Sequence, residues 1–124
     1  MVFRQANRVG EALPEISREE LWQKIEGGDA FVLIDALAPM SFAHSHLPGA
    51  INLPPEWVDE RGPGRIPDPN TEIVVYCASS TCDSSVQVGT RLGELGYRNV
   101  RHYVGGKRDW VEVGLPLEGG RVRA

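Results

Sequence analysis

The sequence lacks most of the features that mark membrane, secreted or nucleic-acid-binding proteins. Its longest apolar runs, such as residues 31–34 and 73–78, are far shorter than the roughly 20 residues that span a bilayer. A net charge of -4 and a pI near 5.3 provide no basic surface for nucleic acid. The two cysteines, Cys77 and Cys82, are too few for the disulfide framework of a small secreted domain. With no apolar signal segment at the start, we expect a cytoplasmic protein with neither a membrane nor a nucleic acid as partner.

The composition is that of one globular domain. Apolar residues make up 41% of the 124 residues and charged residues 24%, and this length supports a single hydrophobic core. We predict a flexible N-terminal arm at residues 1–13, one folded domain at 14–118 and a flexible C-terminal tail at 119–124.

Short apolar strands alternate with helical segments along the chain. Ser17 is suited to cap the first helix, with Glu20 three residues later, and Gly27 and Gly28 to end it. This alternation predicts an α/β fold with a mostly parallel sheet. The predicted elements are helices at 17–26, 84–95 and 109–113, a short helical piece after Pro39, strands at 31–34, 50–53, 73–76 and 100–104, and a surface connection at 61–70.

A cysteine, Cys77, follows the third predicted strand and precedes a loop and a helix. Free backbone N–H groups and the helix dipole at such a turn favour a thiolate over a thiol. Cys77 is therefore the predicted catalytic nucleophile, with its sulfur ionised and open to solvent. Small residues let the loop backbone turn its N–H groups toward the sulfur, although the serines and threonine would equally suit a plain turn. The predicted binding loop comprises Ala78, Ser79, Ser80, Thr81, Cys82, Asp83 and Ser84, with Ser85 as a further hydroxyl donor and Asp83 or Ser84 as the helix cap.

Three other side chains are predicted at the edge of this pocket. Asp35 also ends a strand, and sites in parallel sheets form beyond the carboxyl ends of strands. Lys107 and Arg108 follow a Gly-Gly turn and would add positive potential, although such residues also suit a solvated surface. His44 and His46 have a spacing that is a weak signal for metal, and no metal site or cofactor is predicted.

Four segments in order resemble the rhodanese homology domain. They span roughly residues 15–117 and include Asp35, Cys77 and a Gly-Gly turn before Trp110. The resemblance implies an α/β fold with a mostly parallel five-stranded sheet, helices on both faces and a cysteine that carries a persulfide, and it implies a structural role for His46. The matching segments are 33–35 with 46–54, 74–77, 95–100, and 105–110 with 114–116.

The chain departs from this family pattern in two places. Leu37 and Ser41 stand where the family usually has an arginine and an acidic residue. The loop also looks about two residues longer than usual and lacks the family's basic residue, its only charge being Asp83. The resemblance implies a sulfurtransferase that moves sulfane sulfur through a Cys77 persulfide, from thiosulfate or a related donor to a thiol or cyanide.

Three alternatives stay open from the sequence. A non-catalytic or redox-sensing module would use the same loop to bind a partner protein. An oxyanion reductase acting on arsenate would recruit the second thiol, whereas phosphatase activity is disfavoured because Asp83 stands where related phosphatases hold an arginine. Cys82 is a candidate resolving thiol that would attack a persulfide or sulfenic acid on Cys77, or else a reduced thiol that merely packs.

Overall fold

A computed structural model describes residues 13–119 and contains one parallel sheet. The strands run β2-β1-β3-β4 across the sheet, and all three neighbouring pairs are parallel, which confirms the α/β prediction. The expected fifth strand is represented only by a single parallel bridge between Glu15 and His102. The predictions for residues 1–12 and 120–124 lie outside the described residues. The strands are β1 (Val32–Asp35), β2 (Ile51–Asn52), β3 (Glu72–Tyr76) and β4 (Asn99–His102).

Helices cover the sheet and enclose two hydrophobic cores. One core contains Val75, Cys77 and Val88, and the other contains Leu21, Tyr76 and Trp110. Neighbouring residues of β3 therefore face different cores, as expected for the period-2 alternation of a strand. The helices are α1 (Arg18–Gly27), α2 (Pro39–His44), α3 (Val58–Arg65), α4 (Ser84–Glu94) and α5 (Gly106–Glu112), with a 3-10 turn at Pro55–Trp57 before α3.

The ends of α1 are set by local sequence, as predicted. The Ser17 hydroxyl accepts a hydrogen bond from the Glu20 N–H at 3.0 Å, and Gly28 ends the helix at a φ of 69°. The Glu20 carboxylate, instead of returning to the backbone of Ser17, binds Arg101 at 2.8 Å. That ion pair attaches α1 to β4.

The prediction of a surface connection throughout residues 61–70 was wrong for its first half. The helix α3 continues through Gly62, Pro63 and Gly64 to Arg65. Val58 and Gly62 are the buried residues of α3, and they lie in the same core as Leu92 of α4. Tertiary packing thus outweighs the low helix propensity of glycine and proline.

Within residues 13–119, the longest helices are too short and too polar to traverse a bilayer.

Candidate active site

Cys77 lies directly after β3, and the start of α5 holds its backbone in place. The Cys77 carbonyl accepts the Lys107 N–H at 2.9 Å, and the Ala78 carbonyl accepts the Arg108 N–H at 2.8 Å. Gly106 has a φ of 68°, and a Cβ there would stand 2.5 Å from the Cys77 carbonyl oxygen. Only glycine permits this approach, so the Gly-Gly turn fixes where the loop begins.

The Cys77 sulfur is buried rather than open to solvent. The residue is 1% exposed, and its Sγ lies 3.0 Å from the Ser85 hydroxyl and 3.3 Å from the Cys82 carbonyl oxygen. Burial raises the pKa of the Cys77 thiol, and the contact with Cys82 raises it further, while hydrogen bonds from Ser85 act in the opposite direction. The prediction of a solvent-open, ionised sulfur at rest was therefore wrong, because the thiol is part of a hydrophobic core.

Backbone N–H groups that were expected to surround the Cys77 sulfur donate to the Cys82 sulfur instead. Burial acts to raise the pKa of Cys82, but hydrogen bonds from the Cys77 thiol and from the N–H groups of Ala78 and Ser84 outweigh it, so the pKa is lowered. The Ser85 N–H is the backbone donor to the Cys77 sulfur. The two sulfurs thus have different donors from the same loop, and the half-buried Cys82 is the more readily ionised.

The outer part of the loop forms a turn. The hydroxyls of Ser79 and Thr81 lie 3.1 Å apart, and the Ser79 carbonyl accepts the Cys82 N–H at 3.1 Å. Asp83 occupies the N-cap position of α4, but its carboxylate accepts the Gln87 side-chain amide at 3.3 Å and does not cap the helix. These polar side chains therefore support the loop itself. The loop residues with exposed side chains are Ala78, Ser80, Thr81 and Asp83.

His102, which was not among the predicted site residues, contacts the hydroxyl that neighbours the Cys77 sulfur. His102 Nε2 lies 2.8 Å from the Ser85 hydroxyl. His102 is the last residue of β4 and is half-buried. Burial lowers the pKa of His102, with the nearby Glu15 carboxylate acting against the shift. Strand alternation from the core residue Val100 was the available signal that His102 faces α4.

Asp35 forms a separate set of contacts at the same edge of the sheet. Its carboxylate accepts the Leu37 N–H at 2.8 Å and the Tyr76 hydroxyl at 2.7 Å, and the Tyr76 oxygen accepts the Leu47 N–H at 3.0 Å. Burial raises the pKa of Asp35. The Asp35 carboxylate binds Tyr76, which belongs to the core of Leu21 and Trp110, whereas Cys77 belongs to the other core. The two side chains therefore do not meet in the single pocket that we predicted.

Lys107 and Arg108 contact the loop with their backbone N–H groups and not with their charged side chains. The Lys107 ammonium lies 3.3 Å from the Ser41 hydroxyl, and burial lowers its pKa while Asp35 opposes that shift. Arg108 is exposed and binds Glu112 at 3.2 Å along α5. Neither charge contacts the Cys77 sulfur.

His44 and His46, whose spacing is a weak signal for metal, do not form part of a ligand set among the described residues. His46 Nδ1 lies 2.8 Å from the Phe42 carbonyl, and the two rings stack with centroids 3.9 Å apart. Across residues 13–119, no three His, Cys, Asp or Glu side chains come close enough together to hold a metal ion. His46 therefore has the structural contacts that the family resemblance implied.

Comparisons with known proteins agree on one family. The family model of the rhodanese-like domain matches residues 17–113. The thiosulfate sulfurtransferase GlpE of Haemophilus influenzae is 32% identical over 104 residues, which cover 84% of this chain and 93% of that protein. The thiosulfate sulfurtransferase PspE of Escherichia coli is 37% identical over 76 residues, covering 61% and 70%. A solved rhodanese with anions from E. coli superimposes with a TM-score of 0.61 at 34% identity, covering 73% of this chain and all of the other.

Proposed function

The chain belongs to the rhodanese-like family, and from that premise we propose that it is a sulfurtransferase that carries sulfane sulfur on Cys77. The observation that carries the proposal is the placement of the Cys77 sulfur, at the carboxyl end of β3 and beside the first turn of α4. Sites of parallel α/β proteins form at this edge. The substrates are a small sulfur donor and a thiol acceptor or cyanide, with no cofactor.

The transfer has two steps that share one covalent intermediate. The Cys77 thiolate first attacks the outer sulfur of a donor such as thiosulfate. The sulfur–sulfur bond of the donor breaks, and sulfite leaves with the bonding electrons. A thiol or cyanide then attacks the outer sulfur of the Cys77 persulfide, which releases the Cys77 thiolate.

The loop must open for this reaction, because the resting sulfur is buried. The charge inside the loop is that of Asp83, and the side chains of Lys107 and Arg108 point elsewhere. Among residues 13–119, the loop therefore offers no cationic side chain to a dianionic donor. We expect an organic persulfide to load Cys77 faster than thiosulfate does.

Mass spectrometry of the intact protein tests the function directly. After incubation with thiosulfate or with cysteine persulfide, the wild-type protein should gain one sulfur atom, and cyanide should remove it. Cys77→Ser should gain none, whereas the matched variant Cys82→Ser should still be loaded. If no donor loads a wild-type protein whose circular dichroism is that of a folded domain, the sulfurtransferase proposal fails.

Cys82 is proposed as a resolving thiol for the same intermediate. Its lowered pKa and the hydrogen bond that its sulfur accepts from the Cys77 thiol favour attack on the Cys77 sulfur of the persulfide. The new bond joins Cys77 to Cys82, the bond to the outer sulfur breaks, and hydrosulfide leaves. With mild peroxide, the same thiol would attack a sulfenic acid on Cys77 and release water.

The mass of the protein also tests this role. Peroxide-treated wild type should lose the mass of two hydrogen atoms as the disulfide forms, and Cys82→Ser should instead retain a sulfenic acid or oxidise further. Loaded Cys82→Ser should hold its persulfide longer than loaded wild type when no acceptor thiol is present. Equal persulfide lifetimes, and no loss of two hydrogen atoms in wild type, would exclude the role.

Burial of the Cys77 sulfur favours one alternative, a redox-sensing or non-catalytic module that binds a partner protein. That module would show the peroxide-induced disulfide but no persulfide with any donor. An oxyanion reductase would instead consume arsenate in the presence of a thiol.

The free thiols at Cys77 and Cys82 suit the cytoplasm, which we propose as the compartment.

A further inference from the structure

Three side chains connect the buried sulfur to the edge of the sheet. Cys77 Sγ lies 3.0 Å from Ser85 Oγ, and Ser85 Oγ lies 2.8 Å from His102 Nε2. Ser85 is fully buried in the first turn of α4, whereas His102 is half-buried at the carboxyl end of β4. These two contacts therefore connect the sulfur in the core to the partly exposed imidazole of His102.

We propose that His102 accepts, through Ser85, the proton that Cys77 loses when it attacks a sulfur donor. His102 is in this role a positioning residue, since it acts on the reacting sulfur through another side chain. The proposal rests on the proposed function for the identity of the donor, but the proton path is a property of Cys77 with any electrophile.

The burial of Cys77 is the reason that a base is required. Because the pKa of the thiol is raised, the sulfur is protonated at rest and must lose its proton to become a nucleophile. Within residues 13–119, the acceptors that contact the Cys77 sulfur are the Cys82 sulfur and two oxygens, those of the Cys82 carbonyl and the Ser85 hydroxyl. The Cys82 sulfur is removed by substitution in the test below, which leaves the two oxygens. A carbonyl does not relay a proton, whereas a hydroxyl can accept one while it donates its own.

His102 is in the correct protonation state to receive that proton. Burial lowers its pKa, so its imidazole is neutral at neutral pH. The charged group that acts on it from the neighbouring segment is Glu15, which would stabilise the imidazolium once formed. From α4 it faces the neutral Ser85, while the Asp83 carboxylate is occupied by Gln87.

The proton transfer balances without any further reactant. The thiol proton passes to Ser85 Oγ as the hydroxyl proton of Ser85 passes to His102 Nε2, and the result is a thiolate and an imidazolium. The path uses the arrangement in which the Cys77 thiol donates to Ser85 Oγ and the Ser85 hydroxyl donates to His102 Nε2, with the imidazole proton on Nδ1. In the other arrangement, the Ser85 hydroxyl donates to the sulfur and favours the thiolate. The imidazolium then releases the proton to water, or returns it by the same path when the second step regenerates the thiolate.

The test is the pH dependence of Cys77 alkylation by iodoacetamide, a small neutral electrophile, with Cys82→Ser as a common background so that one thiol reacts. In that background the rate should rise with deprotonation of His102 below neutral pH and then level off, before rising again at alkaline pH. His102→Gln and Ser85→Ala should each lower the rate at pH 7 by about 100-fold, the order of a general-base contribution. Both should lose the inflection below neutral pH and approach the parent rate at alkaline pH.

Controls separate a proton relay from a loss of structure. His44→Gln removes an exposed imidazole outside the site and should leave the whole profile unchanged. A uniform loss of rate at all pH values in His102→Gln would indicate a structural effect and overturn the proposal, as would an unchanged profile. A Cys77 that stays unreactive at every pH would overturn it too. Because alkylation involves no sulfur donor, the relay can be supported even if persulfide loading fails, and loading can succeed without the relay.

Discussion

Two sets of polar side chains lie at the carboxyl edge of the same sheet and differ in what they leave open. The Asp35 network, formed by Asp35, Tyr76 and the Leu47 N–H, is buried, and each of its polar groups has a partner. The Cys77 network, formed by Cys77, Ser85 and His102, begins in a core and ends at a half-buried imidazole. The first network therefore joins buried groups only, whereas the second reaches a partly exposed side chain.

The difference shows that burial alone does not identify a catalytic group. Burial raises the pKa of both Asp35 and Cys77. The Asp35 carboxylate accepts hydrogen bonds from the Tyr76 hydroxyl and the Leu37 N–H, and these contacts give it a structural role. Cys77 instead neighbours a second thiol and a hydroxyl that leads to a base, so we assign the chemistry to the Cys77 network.

The strongest disruption of the Cys77 network should come from Gly106→Ala. The new Cβ would combine a positive φ with a 2.5 Å approach to the Cys77 carbonyl, and we expect a loss of about 3 kcal/mol or more in the free energy of unfolding. Gly114→Ala is the matched control, because its φ is 82° and no atom lies within 4 Å of the added Cβ. It should cost about 1–2 kcal/mol. Urea denaturation measures both, and equal losses would contradict the proposed contact.

The next largest effect should come from Tyr76→Phe, which disrupts the Asp35 network. The variant removes a donor from a buried carboxylate and an acceptor from the Leu47 N–H, at a cost of about 2 kcal/mol. Tyr97→Phe is the control, because its hydroxyl donates to the neutral carbonyl of Ile66, and it should cost about 1 kcal/mol. Tyr76→Phe should leave the pH profile of Cys77 alkylation unchanged; a shifted profile would mean that the two networks are coupled.

The two networks should respond to pH with opposite signs. The pKa of His102 in the folded protein is lowered from 6.5, so the unfolded chain binds protons more readily at this residue. The stability that neutral His102 contributes is therefore present above pH 6.5, and it is lost as the pH falls through the pKa of His102 in the folded protein. The pKa of Asp35 is raised from 3.8, so its contribution is present below pH 3.8 and is lost as the pH rises through the folded value.

Urea denaturation between pH 3 and pH 8 measures this contrast. His102→Gln should remove the loss of stability on acidification below pH 6.5, and Asp35→Asn should remove the loss on raising the pH from 3.8. His44→Gln is again the control for removal of an exposed imidazole. If His102→Gln and wild type show parallel curves, His102 does not titrate differently in the folded and unfolded states.

The smallest effect should come from Arg108→Gln. Its guanidinium is exposed and paired with Glu112 along α5, and such pairs contribute little. We expect both the stability and the rate of persulfide loading from thiosulfate to stay close to those of wild type. A large fall in the thiosulfate rate, with loading by cysteine persulfide unchanged, would show that Arg108 supplies the positive charge that the loop lacks.

Local signals were sufficient for many of the elements. The helix α1 begins after Ser17 and ends at Gly28 because of contacts within a few residues, so the sequence predicts both ends of this helix. The prediction failed for α3, whose Gly and Pro content indicates a loop. That helix depends on packing of Gly62 against α4, which is distant in sequence.

The position of Cys77 at the end of β3 was predictable from the sequence, but its surroundings were not. The strand–loop–helix pattern pointed to Cys77, and the hydroxyl of Ser85 was an expected donor. The burial of the sulfur and the direction of its pKa shift were missed, because both depend on side chains from other elements. His102 is 17 residues from Ser85 in the chain, and the two meet only because β4 lies beside β3.

The α/β order, the end of β3 at a cysteine and the glycine turn can be read from the amino-acid sequence, since strand periodicity and glycine conformation act over a few residues. Three properties arise from packing between distant segments: the Cys77 thiol is buried and its pKa is raised, loop N–H groups donate to Cys82, and His102 contacts Ser85. These properties depend on desolvation and on distances between separate elements, and neither quantity is contained in a local stretch of chain.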